Sequence, residues 1–424
     1  MKYITILLCS LCLLSSCSDM LDQYSHSAIP PEAVTEKDLP AMRLGMYNRM
    51  QNEPTTRGFI ICDILGGDIT QSVYNPIDVI KSVLSPLNST IVDMWNGYYS
   101  ALYQVNNVLA TTSKFPGSSI ALKARGEALY FRAYIYFNLV TLWGGVPILR
   151  ENTLDKLPRS SVADVWALID EDLENAASLL GNTDSYYYVS YNAVQALKAR
   201  VLLSQGKKKE AAALAEELIK LGTYSLDSFD NTFYRKEAKI SKEVIFAFQN
   251  ITQESNINIS DLFYTYGMPN KGQGVYSPTK QVVELFDTKD NRKDISIVVV
   301  SGSNIINKYP SGQTGKDPVV VSRLAEMYLI SAEAQGRGTG IARLNDLRRY
   351  RGLSDISVSS DNEFLDAILD ERRREFLGEN FMYRDLVRTG KAIERLGIQS
   401  YQQLLPIPGK ELLLNPLLEP NPGY

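Results

Sequence analysis

Apolar side chains recur at helical spacing over much of the chain. In residues 36–50 and 91–114 they return every three or four positions, which predicts two amphipathic helices. Residues 120–142 are apolar around nearly the whole helical circumference, as expected of a helix that is buried on all sides. This helix is predicted to end at the Trp-Gly-Gly-Val-Pro run of 143–147, because paired glycines and a proline cannot continue it. A further periodic stretch covers 162–180.

Residues 190–221 predict a pair of antiparallel helices. Each half carries an apolar stripe, Gly206 lies between the halves, and small alanines occupy the faces that would meet. This pattern is typical of a tetratricopeptide (TPR) unit, whose period is about 34 residues. One unit cannot bury its faces alone, so neighbouring pairs are required, and residues 320–352 are a second candidate.

Helical periodicity fades in two stretches, from Gly66 to Pro86 and from 223 to 319. Glycine, asparagine, serine and tyrosine become frequent there, as they do in loops. Short runs rich in Val, Ile and Phe at 244–246 and 295–300 predict a few strands within otherwise irregular structure.

Helices are predicted again at 361–377 and 381–396. The first is opened by a capping box, with Ser360 as the N-cap residue and Glu363 three positions later. The tail from 405 to 424 has too many prolines for a helix but is too apolar to lie free in water. We therefore predict that it packs along the body as extended chain.

The N-terminus has the layout of a secretory signal peptide in residues 1–16. Its end, Leu-Ser-Ser-Cys, resembles the bacterial lipobox, in which cleavage leaves an N-terminal cysteine that carries lipid, so Cys17 is the predicted lipidation site. Residues 17–35 then form a tether, and Cys62 is left as the one unmodified thiol. A conventionally cleaved, freely secreted protein is the alternative.

Charge and composition argue against several classes of protein. The chain has 424 residues with 44 Lys and Arg against 48 Asp and Glu, so there is no basic excess to neutralise a phosphate backbone, and no nucleic-acid partner is expected. The content of 45% hydrophobic and 22% charged residues is that of a well-cored globular protein and excludes a polytopic membrane protein. The single histidine, His26, is the only residue on which a Ser-His-Asp or Cys-His mechanism could be built.

Four further motifs are better explained by structure than by chemistry. The glycines of 336–340 follow a helix and those of 312–317 have the wrong spacing for a P-loop, so neither predicts nucleotide binding. The acidic run at 287–294 lacks the glycine and terminal glutamate of an EF-hand, which favours a solvated loop over a Ca²⁺ site. The Glu-Arg-Arg-Arg-Glu run of 371–375 predicts a salt-bridged helix surface. We expect neither a metal nor a cofactor.

Tyrosine is the over-represented residue, with 25 copies against 3 Trp and 13 Phe. A tyrosine ring offers a flat apolar face with a hydroxyl at its rim, which suits stacking on a sugar ring or a peptide. Tyrosines on helical stripes are assigned to the core, whereas those in loops have no such explanation. The predicted ligand-binding residues are therefore the loop residues Asp68, Tyr74, Asn75, Tyr264, Tyr266 and Tyr276.

Several segments, taken together, resemble the SusD/RagB family of outer-membrane nutrient-binding lipoproteins of Bacteroidetes. The likeness runs in order along nearly the whole chain. It includes the Cys-Ser-Asp start of the mature chain, Gly126 to Pro147, Arg323 to Ala334, Glu371 to Phe376, Arg384 to Arg388 and the closing Asn-Pro-Gly-Tyr of 421–424. A Glu-Pro pair at 419–420 stands where the family often has glutamine.

The resemblance implies a mainly α-helical protein with a TPR-like hairpin scaffold, loop-rich excursions and a few short strands. We expect one such domain over 36–424, with TPR-like helices at about 91–222 and 320–396 and ligand-face loops at about 60–90 and 223–319. The implied role is non-catalytic. The protein would be lipid-anchored at the outer-membrane surface and would capture oligosaccharide for import through a SusC-like TonB-dependent transporter.

Three alternatives stay open at this point. The ligand of the same uptake complex could be a peptide or another nutrient. A secreted glycosidase is compatible with the many carboxylates but is supported by no motif. A TPR scaffold that binds only protein would have affinity for the transporter and for no nutrient.

Overall fold

Helices dominate the structure. The computed structural model describes residues 33–71, 84–183, 185–233, 241–250, 257–264, 272–312 and 317–424. The nine longest helices of these residues are α1 (Leu39–Asn52), α2 (Ser89–Thr112), α3 (Ser119–Trp143), α4 (Val162–Leu179), α5 (Tyr191–Ser204), α6 (Lys208–Lys220), α7 (Leu324–Tyr350), α8 (Asp361–Phe376) and α9 (Met382–Arg388).

The remaining elements are short. The shorter helical segments are Glu36–Asp38, Thr55–Gly58, Ile61–Leu65, Phe229–Thr232, Ile259–Phe263, Lys280–Glu284, Lys293–Ser296, Ala392–Leu396, Ser400–Gln403 and Gly409–Leu414. The strands are β1 (Ile69–Gln71), β2 (Val244–Phe248), β3 (Tyr276–Pro278), β4 (Ile297–Val300), β5 (Ser303–Ile306) and β6 (Val319–Arg323). They form three antiparallel two-stranded ribbons, β1 with β3, β2 with β6, and β4 with β5.

The scaffold is a series of packed helix pairs, as the periodicity predicts. Helices α2, α3 and α4 pack in succession, α5 packs on α6, α6 on α7, and α7 on α8. Helix α3 is enclosed by its neighbours, with Tyr130 and Phe131 both 0% exposed. The turn between α5 and α6 contains Gly206 at φ +75°, a backbone conformation in which glycine carries no steric cost. The prediction of a mainly α, TPR-like scaffold is confirmed.

Two helical stretches are interrupted at glycines. Helix α7 is broken at Gly336, whose φ of +71° is not helical, so its halves form the predicted hairpin of 320–352. The prediction of one helix over 381–396 is wrong. The structure has α9 and then Ala392–Leu396, because Gly390 adopts φ +72° between them.

One of the two hydrogen bonds of the predicted capping box at α8 is present in the structure. Ser360 Oγ accepts a hydrogen bond from the Glu363 amide at 3.2 Å. The Glu363 carboxylate reaches the amide of Ser359 at 2.7 Å, one residue before the position that a regular capping box uses.

The C-terminal tail packs along the body, as predicted, and closes the end of α3. Trp143 Nε1 donates to the carbonyl of Pro406 at 3.0 Å, and Asn421 Nδ2 donates to the carbonyls of Trp143 and Leu405 at 3.0 and 2.7 Å. The tail is not wholly extended, since Gly409–Leu414 is helical. Pro408 directly precedes this helix, where a missing amide hydrogen has no helical partner to lose.

Glu375 and the three arginines that bind it lie at the centre of a larger buried charge cluster, in which Glu243 and Glu379 are further carboxylate partners. We call the central four residues, Arg292, Arg323, Arg351 and Glu375, the Glu375 network. One Glu375 oxygen accepts from Arg323 at 2.5 Å and from Arg351 at 2.7 Å, and the other accepts from Arg292 at 2.8 Å. Burial alone would raise the pKa of Glu375, but the three guanidinium groups hold that pKa well below its usual value. Within the run of 371–375, Arg374 pairs with Glu371 at 3.0 Å, as predicted. Glu375 pairs instead with arginines outside the run and is 0% exposed, so its predicted placement at the surface is wrong.

None of the helices in the described ranges combines the length and the apolar character needed to cross a membrane.

Candidate functional site

An open cleft of about 790 Å³ lies where the first loop-rich stretch meets α8 and α9. The pairing of β1 with β3 creates it, because this pairing places Thr279 beside the loop that precedes β1. The Thr279 amide donates to the carbonyl of Asp68 at 2.9 Å, and the Thr279 hydroxyl donates to the carbonyl of Gly67 at 2.9 Å. The polar side chains that line the cleft are Thr70, Thr279, Gln281, Glu284, Asp370, Arg373 and Arg395.

The loop approaches α9 closely at Gly66. A Cβ atom on this residue would lie 2.6 Å from the Cys62 carbonyl oxygen and 2.8 Å from side-chain atoms of Met382. Only glycine allows this contact without displacement of the helix or the loop. The wall of the cleft at this point is therefore set by backbone packing.

Asp68 lies behind the cleft wall and holds Arg373, which lines it. Arg373 Nε donates to Asp68 Oδ1 at 2.7 Å, and Asp68 is 0% exposed. Burial raises the pKa of Asp68 to about 6, although Arg373 acts in the opposite direction. The second oxygen, Oδ2, is buried and has no hydrogen-bond partner in the described part of the chain. Asp68 was predicted as a ligand contact, and the structure gives it the position of a residue that orients Arg373.

Arg395, which also lines the cleft, is held against α8 by two carboxylates of that helix. Its Nη2 donates to Asp366 at 2.8 Å and its Nη1 donates to Asp370 at 3.2 Å. Asp366 also pairs with Lys391 at 3.2 Å. The guanidinium of Arg395 is thus oriented by the protein before any ligand arrives.

Gln281 and Thr70 supply polar side chains that have no hydrogen-bond partner in the described part of the chain. The Gln281 side chain is exposed, and no hydrogen bond from a described residue reaches the side chain of either residue. Leu285, Met382 and Leu396 contribute apolar surface between the polar groups. An open cleft with amide, hydroxyl and carboxylate groups around apolar patches suits a hydroxyl-rich ligand with C–H faces.

The two predicted tyrosines that the structure describes point into the interior. Tyr264 is 4% exposed and donates its hydroxyl to Asn307 Oδ1 at 2.6 Å. Tyr276 is 1% exposed and accepts a hydrogen bond from Arg57 Nε at 3.2 Å. Both rings are used in packing, so this geometry does not support the prediction that they stack on a ligand.

The other predicted sites lie outside the described residues. These are the lipidation site Cys17 and the ligand contacts Tyr74, Asn75 and Tyr266. They stay predictions.

The sequence patterns missed most of the cleft. Arg373 and Asp370 belong to a helix whose charges were assigned to the surface, and Gln281 and Arg395 stood in no motif. The one available signal was the Gly-Gly-Asp loop of 66–68, which led to Asp68 but not to its partner 305 residues later.

The acidic run at 287–294 can now be compared with the alternative of a Ca²⁺ site. Asp290 is buried and binds Arg292 through both of its oxygens, at 2.8 and 2.7 Å. Within the described ranges, no three His, Cys, Asp or Glu side chains are grouped so that they could hold a metal ion. The sequence favours a solvated loop for this run. Asp287, Asn291 and Asp294 are exposed, in agreement with that interpretation, whereas Asp290 is buried in the ion pair.

Two family models match the chain. A SusD-like model, described as starch-binding associating with outer membrane, matches residues 19–203, and the model of the SusD family matches 300–403. A SusD-like protein of Formosa agariphila, P38, is 26% identical over 99% of this chain and 98% of its own length.

Solved structures share the fold. A laminarin-binding SusD-like protein is 23% identical, with a TM-score of 0.80 over 92% of this chain and 100% of its own. Surface glycan-binding protein A from Bacteroides thetaiotaomicron, solved with laminarihexaose, is 19% identical, with a TM-score of 0.80 over the same shares. The protein is therefore of the SusD-like class in its scaffold. The chain belongs to the SusD/RagB family.

Proposed function

We propose that this protein is a lipid-anchored, non-catalytic glycan-binding protein of the outer-membrane surface, and that the cleft described above contacts the glycan. Family membership supports the general role, since two relatives of the same fold are described as binding laminarin or surface glycans. The observation that carries the assignment to this cleft is that it is lined both by Gln281 and Thr70, whose side chains bond to no described residue, and by two arginines that the protein already orients. The ligand is then passed to a SusC-like TonB-dependent transporter.

Replacement of Gln281 by alanine is expected to weaken glycan binding. A hydrogen bond of this kind contributes about 0.5–1.5 kcal/mol, which corresponds to an increase in Kd of about two- to tenfold. Isothermal titration against a panel of oligosaccharides and a peptide library measures it. The double variant Gln281→Ala with Thr70→Ala is expected to lose more glycan affinity than either single variant.

Asn182→Ala is the matched control, because Asn182 is an exposed amide in the loop after α4 and is not part of the cleft. Its affinity should equal that of the wild type. Tight peptide binding without glycan binding would refute the choice of ligand. Equal affinities of the wild type and the Gln281 variant would refute the choice of cleft.

Anchoring is proposed to depend on Cys17. The Cys17→Ala variant is expected to lose incorporation of labelled fatty acid and to leave the membrane fraction, because stable anchoring requires the acyl chains. Metabolic labelling and cell fractionation measure the two effects, and Cys62→Ala provides the control thiol. Retention of the Cys17 variant in the membrane fraction would contradict the proposal.

A further inference from the structure

The formal charges of the side chains that line the cleft sum to zero. Two are carboxylates, Glu284 and Asp370, and two are guanidinium groups, Arg373 and Arg395. A ligand that enters the cleft therefore meets no uncompensated positive charge from these lining residues.

Each of the two arginines already has a carboxylate partner in the protein. Arg373 binds the buried Asp68 at 2.7 Å, and Arg395 binds Asp366 and Asp370 at 2.8 and 3.2 Å. A sulfate or carboxylate on a ligand would have to compete with these carboxylates for the same N–H donors. Its approach would also be opposed by Asp370. Glu284, whose side chain is 63% exposed, adds to this opposition, although it pairs with the exposed Lys280 at 3.5 Å.

From this charge pattern we infer that the cleft selects neutral glycans and discriminates against sulfated or uronate-containing ones. The inference rests on the proposed function and adds the chemical class of the ligand. Neutral hydroxyls can accept from the remaining N–H groups of the arginines and can donate to Asp370, to Glu284 and to the Gln281 carbonyl. These contacts leave the existing ion pairs intact.

The test uses the full chain and a pair of matched probes. The first probe is the neutral oligosaccharide that binds best in the panel, and the second is the same oligosaccharide after oxidation of its primary alcohols to carboxylates. We expect the oxidised probe to bind at least about tenfold more weakly, which corresponds to 1.4 kcal/mol. The affinity of the neutral probe should change little between low and high salt, because no ion pair forms on binding.

A gain of function is expected in Asp370→Asn. This change removes one carboxylate that opposes an anionic ligand and leaves Arg395 with one carboxylate partner, Asp366. The ratio of the Kd of the oxidised probe to that of the neutral probe should therefore fall several-fold. Glu210→Gln is the matched control, because Glu210 is exposed on α6, away from the cleft. The ratio of the Kd values of the two probes should be the same in this variant as in the wild type.

The outcomes separate the two proposals. Equal or tighter binding of the oxidised probe by the wild type would overturn the selectivity while the glycan-binding function stands. The selectivity would also be overturned if Asp370→Asn left the ratio of the Kd values of the two probes unchanged. Absence of binding to every glycan, neutral or anionic, would overturn the proposed function itself.

Discussion

Replacement of Glu375 by glutamine is expected to lower the free energy of unfolding by about 3–5 kcal/mol, the cost of breaking a buried ion pair by removing one partner. Glu375 is 0% exposed and accepts hydrogen bonds from Arg292, Arg323 and Arg351. A glutamine would keep one acceptor oxygen and turn an NH₂ group toward guanidinium groups that can only donate. Urea unfolding followed by circular dichroism measures the loss as a shift in midpoint.

The control for this change is Glu394→Gln. Glu394 lies on the short helix Ala392–Leu396, its side chain is 75% exposed, and its ion-pair distance to Lys391 is 3.7 Å. Exposed pairs contribute about 0–1 kcal/mol, so this variant should unfold close to the wild type. Similar midpoints for both variants would show that the Glu375 network does not stabilise the fold.

The loss in free energy of unfolding caused by Glu375→Gln should also depend on pH, in a direction that the pKa of Glu375 determines. Its pKa in the folded state lies well below the usual value, so the ionised network contributes stability above the unfolded pKa, about 4.5. That contribution is lost as the pH falls through the lowered folded pKa. The difference in stability between the wild type and Glu375→Gln should therefore shrink on acidification from neutral pH.

The scaffold could be predicted because its signals are local. The alanine stripes around Gly206 indicate a close helix crossing without knowledge of any other segment, and α5 and α6 follow that pattern. The packing of the tail on the body could be predicted because an apolar, Pro-rich segment cannot form one continuous helix and is unfavourable in water. Its partner, the end of α3 at Trp143, could not be read from the tail itself.

The cleft could not be predicted because its walls come from distant parts of the chain. Asp68 and Arg373 are 305 positions apart, and neither residue's own neighbourhood indicates the other. The same reason explains the error at Glu375, whose partners Arg323 and Arg351 precede it by 52 and 24 positions. A charged helix whose partners are unknown is assigned to the surface by default.

The loop tyrosines show a second limit of the sequence. A loop position indicates a candidate binding residue, but it does not indicate whether the ring faces solvent. Tyr264 and Tyr276 each satisfy the hydroxyl internally, on Asn307 and Arg57, and this allows their rings to be buried. The partners that decide their burial are not visible in the local pattern.

Gly340→Ala is expected to lower the free energy of unfolding by about 3 kcal/mol, the upper part of the range for overpacking. Gly340 lies after the break in α7, where the two halves of the helix cross. A Cβ atom there would lie 1.9 Å from the carbonyl oxygen of Ala332, a backbone atom that cannot move aside without displacing the first half of α7. Thermal or urea unfolding of the full chain measures the loss.

Gly338→Ala in the same turn is the matched control. No atom lies within 4 Å of the position that its Cβ would take, and its backbone is not in the left-handed region. Loss of a flexible glycine from the unfolded chain should leave this variant unchanged or more stable, by up to about 1 kcal/mol. The two glycines differ in sequence position by two residues, so a large loss at 340 alone would assign the cost to the helix crossing. Equal losses at both positions would instead assign it to the turn as a whole and would contradict the close approach of Gly340 to Ala332.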